Sequence, residues 1–154
     1  MRDVVRAAFV RFTAAYEGVV PWLYQDIKGL VTVAIGNLVD PIQYAMPLPF
    51  VDRYTGLPAT RDAIAAEWLR VKGDASLARL GHRAAEHTTT LRLTPEGIDL
   101  VVSRKLNQND QHLRGRFPDF ETWPACAQLA THSMAWACGP AFRFDALALA
   151  LRMR

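Results

Sequence analysis

Glu17, Asp26 and Thr32 are the residues whose types and spacing suit hydrolytic chemistry. Cleaving a glycosidic bond with water needs one carboxylic acid to protonate the leaving oxygen. It also needs one carboxylate to activate or orient the attacking water. A nearby hydroxyl can help to hold that water. Spacing alone leaves a second reading open, a solvated surface pair of acidic residues, since a Glu at a helix end followed by an Asp in a hairpin is common.

The elements that must position these groups are readable. Val4, Val5, Ala8, Phe9, Phe12, Ala15 and Tyr16 recur at three-to-four spacing, which predicts a helix from an Asp3 N-cap to a Gly18 stop. Glu17 then falls in the last turn. The negative end of the helix dipole disfavours a second negative charge there and is expected to raise the carboxyl pKa, as a general acid requires. Trp22 and Tyr24 alternate along a short strand that ends at Asp26, and Lys28-Gly29 is turn chemistry. Leu30 to Ile35 reads as the return strand, with Leu30, Thr32 and Ala34 on one face.

Tyr24-Gln25-Asp26, Thr32 and the run Ala34-Ile35-Gly36-Asn37, together with Glu17, resemble the active-site region of phage-type lysozymes, the T-even-like muramidases. The resemblance implies Glu17 as general acid, Asp26 as the carboxylate that orients water, and Thr32 as the hydroxyl beside it. Gly36, Asn37 and Leu38 would line the floor of a sugar cleft. Inversion at the anomeric carbon follows, with carboxyl groups about 6.5–9.5 Å apart. A second block, Trp123 to Gly139, resembles the family's buried central helix. In it Thr122 would be the N-cap, Pro124 would lie in the first turn and Trp136 would be an aromatic lining the cleft, or else a core residue. Thr94-Pro95-Glu96-Gly97, opening an amphipathic run to about Arg114, resembles the helix that joins the lobes. The family's His after G-I-G is Asn37 here, the segment from Asp40 to Leu91 is longer than in the phage enzymes, and the chain stops at Arg154. The last point suggests a trimmed form or one completed by a partner.

The expected architecture is α+β and mostly helical: a single lysozyme-like domain over 1–154, with a small β-hairpin lobe, a helical lobe and a cleft between. Residues 3–39 carry the helix and hairpin, 40–93 an insertion, and 94–154 the helical lobe. Pro41, Pro47, Pro49, Gly56 and Pro58 make 40–59 irregular. Thr60 caps a helix through Lys72 with Ile64, Trp68 and Val71 inward, a second short helix runs to about Ala85, and 88–91 is extended. The insertion is either a substrate-binding rim or a structural cover.

Composition fits a compact domain with a real core, since 51% of its 154 residues are hydrophobic and 21% charged. The net charge of +3 suits an anionic polymer such as peptidoglycan. Arg104, Lys105, Arg114 and Arg116 form at most a mild patch on one helix, so nucleic acid is not expected as a partner. No run of about 18 apolar residues is present, so no membrane insertion is expected. No secretory signal is visible, because Arg6 and Arg11 break the N-terminal apolar stretch. Synthesis in the cytoplasm and action in the periplasm or cell wall of a target bacterium are expected, by delivery or by release at lysis. Cys126 and Cys138 on one helix would stand roughly 18 Å apart at 1.5 Å rise per residue, beyond the about 7 Å a disulfide spans. Two free, buried thiols are expected. His82, His87, His112 and His132 show no metal-ligand spacing, and neither cofactor nor metal is expected.

The resemblance therefore implies a muramidase that cuts the β-1,4 bond between N-acetylmuramic acid and N-acetylglucosamine. The setting would be an antibacterial effector, with a cognate immunity protein, or a phage endolysin. A non-catalytic glycan-binding or interaction module and a lytic transglycosylase are the alternatives.

Overall fold

A computed structural model describes residues 1–143; the end of the segment expected as a helical lobe, 144–154, lies outside the described residues. The fold is α+β and mostly helical. Helix α1 (Asp3–Glu17) leads into strands β1 (Val20–Gln25), β2 (Val31–Ala34) and β3 (Asn37–Leu38). After a 3-10 turn at Ile42–Tyr44 come β4 (Phe50–Asp52), α2 (Arg61–Gly73), α3 (Leu77–Leu80), α4 (His82–Thr88) and β5 (Leu91–Leu93). Helix α5 (Pro95–Arg116), a 3-10 turn at Phe120–Thr122 and α6 (Ala125–Cys138) complete the described chain. No described helix is long and apolar enough to cross a membrane.

The chain forms two compact units. Among the described residues, a hairpin unit comprises Thr13–Arg104, and a helical unit comprises Met1–Phe12 with residues 105–143. The segment 40–93 thus folds together with the hairpin.

In the hairpin unit, β1, β2 and β3 form an antiparallel sheet in that order, with Tyr24 opposite Thr32 and Thr32 opposite Leu38. Both faces of β2 are buried, so its alternation separates two covered faces. Helix α2 begins where Thr60 Oγ1 accepts the Ala63 amide, and it buries Ile64, Glu67, Trp68 and Val71 at i, i+3, i+4 and i+7. Trp68 Nε1 donates to Val39 O, and Gln25 Nε2 donates to Val71 O and Lys72 O, so the C-terminal half of α2 is bonded to β1 and to the residue that follows β3. Strands β4 and β5 pair antiparallel, Phe50 with Leu93 and Asp52 with Leu91. The expected irregular stretch therefore contains a strand, and of the residues expected as extended only Thr88 differs, since it closes α4; Thr89 is already extended and strand pairing begins at Leu91. The expected single helix to Ala85 is two, α3 and α4, broken at Gly81, whose φ of 80° no helix accommodates. Thr94 Oγ1 accepts the Gly97 amide and caps α5, with Pro95 in its first turn. A Cβ at Gly97 would stand 3.1 Å from Pro49 Cγ and 3.2 Å from Leu93 Cδ2, so the missing side chain lets α5 lie against β5.

The helical unit packs Leu113, Phe120, Trp123, Ala127, Ala135 and Phe142 into one cluster. Helix α6 buries Ala127, Gln128, Thr131, His132, Ala135 and Trp136. The caps of α1 and α6 and the burial of the cysteines differ from expectation. Pro124, not Thr122, is the N-cap of α6, because Thr122 belongs to the preceding 3-10 turn, where its hydroxyl donates to Asp119 O. Cys126 and Cys138 are free but exposed, since they lie off the face that α6 buries. In α1 the buried stripe is Val5, Phe9 and Thr13, while Val4 and Tyr16 are exposed. Its first turn closes on Arg2 O, which accepts the Val5 and Arg6 amides, so Asp3 sits inside that turn.

Candidate active site

Glu17 is the last residue of α1 and is exposed. The Gly18 amide closes the final turn on Ala14 O, and the φ of 72° at Gly18 redirects the chain into β1. Glu17, Asp26 and Thr32 all belong to the hairpin unit.

Asp26 stands one residue past β1, at the mouth of the hairpin turn. Its Oδ1 accepts the amides of Lys28 at 2.8 Å and Leu30 at 2.9 Å, while its own amide donates to Leu30 O. The turn therefore holds the carboxylate in one orientation. Oδ2 has no hydrogen-bond partner among the described residues. Thr32 is buried in β2, and its hydroxyl donates to Leu30 O at 3.1 Å. Its oxygen keeps accepting capacity.

Tyr24 is the residue common to all three. It is the cross-strand partner of Thr32 and precedes Asp26 by two positions. Partial burial, then the charge of Asp26, then that of Glu17 push its phenol above the ordinary tyrosine range. The period of two along β1 carried this signal, although it was used only to define the strand.

The turn after β2 is strained. Ala34 has a φ of 57°, a left-handed conformation that costs a residue with a Cβ about 1 kcal/mol. Gly36 follows with a φ of 66° and is exposed. Leu38 is half exposed. Asn37 is 2% exposed; its Oδ1 accepts the Ile35 amide and its Nδ2 donates to Val101 O, so its side chain fixes the turn and ties it to α5. Trp136 belongs to the helical unit and is placed as a core aromatic. It is 5% exposed, 5.1 Å from the Phe9 ring, with Lys105 Nζ 4.2 Å above its centroid. Little of its ring is left to line a cleft. The basic residues expected to form a patch are also engaged: Arg114 pairs with Asp110 and Glu121, and Arg116 lies over Phe117 and Phe142.

Two other polar sites escaped the sequence reading. Glu67 is buried, and its carboxylate accepts the Thr90 amide and hydroxyl, the Leu91 amide and Arg70 Nη2. It forms part of the wall of a pocket of about 400 Å³ between α2, β4 and β5, which none of Glu17, Asp26 and Thr32 lines. With its acceptors occupied, Glu67 is a structural anchor rather than a reactive group. In the helical unit His132 is fully buried between the rings of Phe9 and Phe120. Its Nε2 is 3.3 Å from Asp110 Oδ1, within ion-pair range but not aligned for a hydrogen bond. Burial, only partly offset by Asp110, lowers its pKa to about 4, so it is neutral at pH 7. Among the described residues no three His, Cys, Asp or Glu side chains come together as a metal site.

No protein-family model, curated protein or solved structure matches this chain.

Proposed function

We propose that this protein is a peptidoglycan hydrolase, a muramidase of lysozyme-like character that cuts the β-1,4 bond between N-acetylmuramic acid and N-acetylglucosamine. The observation that carries this reading is the grouping of Glu17, Asp26 and Thr32 in one unit, with Tyr24 under the influence of both carboxylates. In this mechanism Glu17, at the exposed end of α1, protonates the departing glycosidic oxygen. Asp26 uses Oδ1 to hold the turn and Oδ2 to take a proton from water. Thr32, already donating to Leu30 O, accepts the water's second hydrogen and leaves a lone pair free for attack. The net change is addition of water across the glycosidic bond.

The net charge of +3 favours an anionic wall polymer. Action in the periplasm or wall of a target bacterium, as a delivered antibacterial effector restrained by an immunity protein or as a phage endolysin, belongs to the same reading. The two turn bonds of Asp26 and the burial of Thr32 favour one rival. In a lytic transglycosylase Glu17 would act alone and the other two would be structural.

Digestion of purified Gram-negative peptidoglycan, read by mass spectrometry, tests the assignment. Wild type is expected to release muropeptides with reducing ends, and Glu17→Gln to release none while melting as wild type does. Substantial activity in Glu17→Gln sinks the assignment. Products ending in 1,6-anhydro sugars, with Asp26→Asn still active, would identify the transglycosylase. Sacculi bound but uncut would identify a binding module.

A further inference from the structure

Tyr24 occupies a position that the three reactive candidates do not explain. Side chains at cross-strand partners project from the same face of a sheet, as do those two residues apart, so Tyr24 and Thr32 share a face toward which Asp26 also lies. Its ring packs edge-to-face against His82, at 6.0 Å between centroids and 68° between planes. His82 opens α4, and α4 is held to the strand because Trp22 Nε1 donates to His82 O at 2.8 Å. Arg92 reinforces this brace. Its guanidinium lies 4.9 Å over the Trp22 ring while donating to Thr89 O and Glu86 O, so it is already spent on structure.

The Tyr24 hydroxyl, by contrast, has no hydrogen-bond partner among the described residues, although the residue is partly buried. A tyrosine hydroxyl that no protein group engages is available to a ligand. Partial burial and the two carboxylates favour the protonated phenol, so it keeps a hydrogen to donate to an oxygen placed nearby. Glycan strands present such acceptors as ring, hydroxyl and acetamido oxygens, and their apolar faces stack on tyrosine rings.

We propose that Tyr24 is a substrate-positioning residue of the site: its partly exposed ring packs against a glycan bound alongside β1, and its hydroxyl donates to an oxygen of that glycan. The segment 77–88 then serves the site through His82, as a brace that sets the angle of the Tyr24 ring. This rests on the glycan reading above.

Steady-state cleavage of peptidoglycan by wild type, Tyr24→Phe and His82→Ala tests it. In parallel, binding of an N-acetylglucosamine hexamer is measured on Glu17→Gln with and without Tyr24→Phe. Removing only the hydroxyl is expected to raise KM and weaken hexamer binding about 3–10-fold, the range of one neutral hydrogen bond, with an unchanged melting temperature and a much smaller change in kcat. His82→Ala should produce a smaller effect in the same direction. Wild-type cleavage together with Tyr24→Phe kinetics and binding equal to the parent's overturns the inference and leaves the hydrolase reading standing. If wild type neither cuts peptidoglycan nor binds the hexamer, the hydrolase reading fails first, and this inference with it.

Discussion

The two units treat their buried polar groups differently. In the hairpin unit these groups are saturated. Gln25 Nε2 donates to the carbonyls of Val71, Lys72 and Asp74, Glu67 accepts from Thr90, Leu91 and Arg70, and Asn37 is bonded at both ends. Only the Thr13 hydroxyl lacks a partner there among the described residues. The helical unit saturates Gln128, which bonds to Arg2, Phe120, Glu121 and Trp123. Yet it leaves Asn109 Nδ2, Trp123 Nε1 and both ring nitrogens of His132 without a hydrogen-bond partner. A saturated polar network specifies one arrangement, whereas unpaired buried groups carry a desolvation cost, which for His132 grows if the ring is protonated in place. The candidate catalytic carboxylates therefore sit on the more tightly specified scaffold, and the acid-sensitive element lies in the other unit.

The largest effect should come from the centre of the saturated network. Glu67→Ala strands the buried Leu91 amide and the partly buried Thr90 amide and should cost about 3–5 kcal/mol, read as a lower urea midpoint. A loss under 1 kcal/mol would mean that the contrast between the units has no energetic content.

Acidification should strike the helical unit. The pKa of His132 is about 4 in the folded state and about 6.5 when unfolded, so below 6.5 the unfolded chain binds the extra proton. Stability is full above pH 6.5 and falls as pH drops toward 4, by on the order of 2–3 kcal/mol. Asp110 adds a second loss at lower pH. Burial opposes its ionisation, but bonds and charge from Arg114 and the N-terminal ammonium hold its pKa below the ordinary value. Urea midpoints across pH 4–7 should slope upward for wild type, and His132→Phe should flatten that slope. An equal slope in the variant would remove His132 from the account.

The smallest effect is expected at a partly exposed tie within the hairpin unit. Lys72 Nζ donates to Asp40 Oδ2 at 2.6 Å and to Gly29 O, and Asp40 also accepts the Val31 amide. The ammonium beside it, outweighing partial burial, holds the Asp40 carboxyl below its usual range. Because Gln25 and Trp68 also join α2 to the strands, Lys72→Met should cost only about 0.5–1 kcal/mol, measured by the same denaturation. A loss as large as that of Glu67→Ala would show that the network is not redundant.

Local chemistry in the sequence determined much of the scaffold. The hydroxyls of Thr60 and Thr94 cap α2 and α5, Gly18 and Gly139 end α1 and α6, and alternation with Lys28-Gly29 makes the hairpin. These signals act within a few residues, through backbone conformation and the nearest amides, and so they are legible in one chain. The same logic placed Glu17 at a helix end and kept Cys126 and Cys138 apart. Tertiary structure decided the rest. Glu67, Gln25 and Asn37 bond to residues 23, 46 and 64 positions away. Such partners depend on which faces pack, and no periodicity encodes them. Packing likewise buried Trp136, left both cysteines exposed and set the His82 ring against Tyr24. Spacing supplied the candidate reactive groups, bonds inside the hairpin turn hold Asp26 and Thr32, and long-range hydrogen bonding fixes the scaffold that carries them.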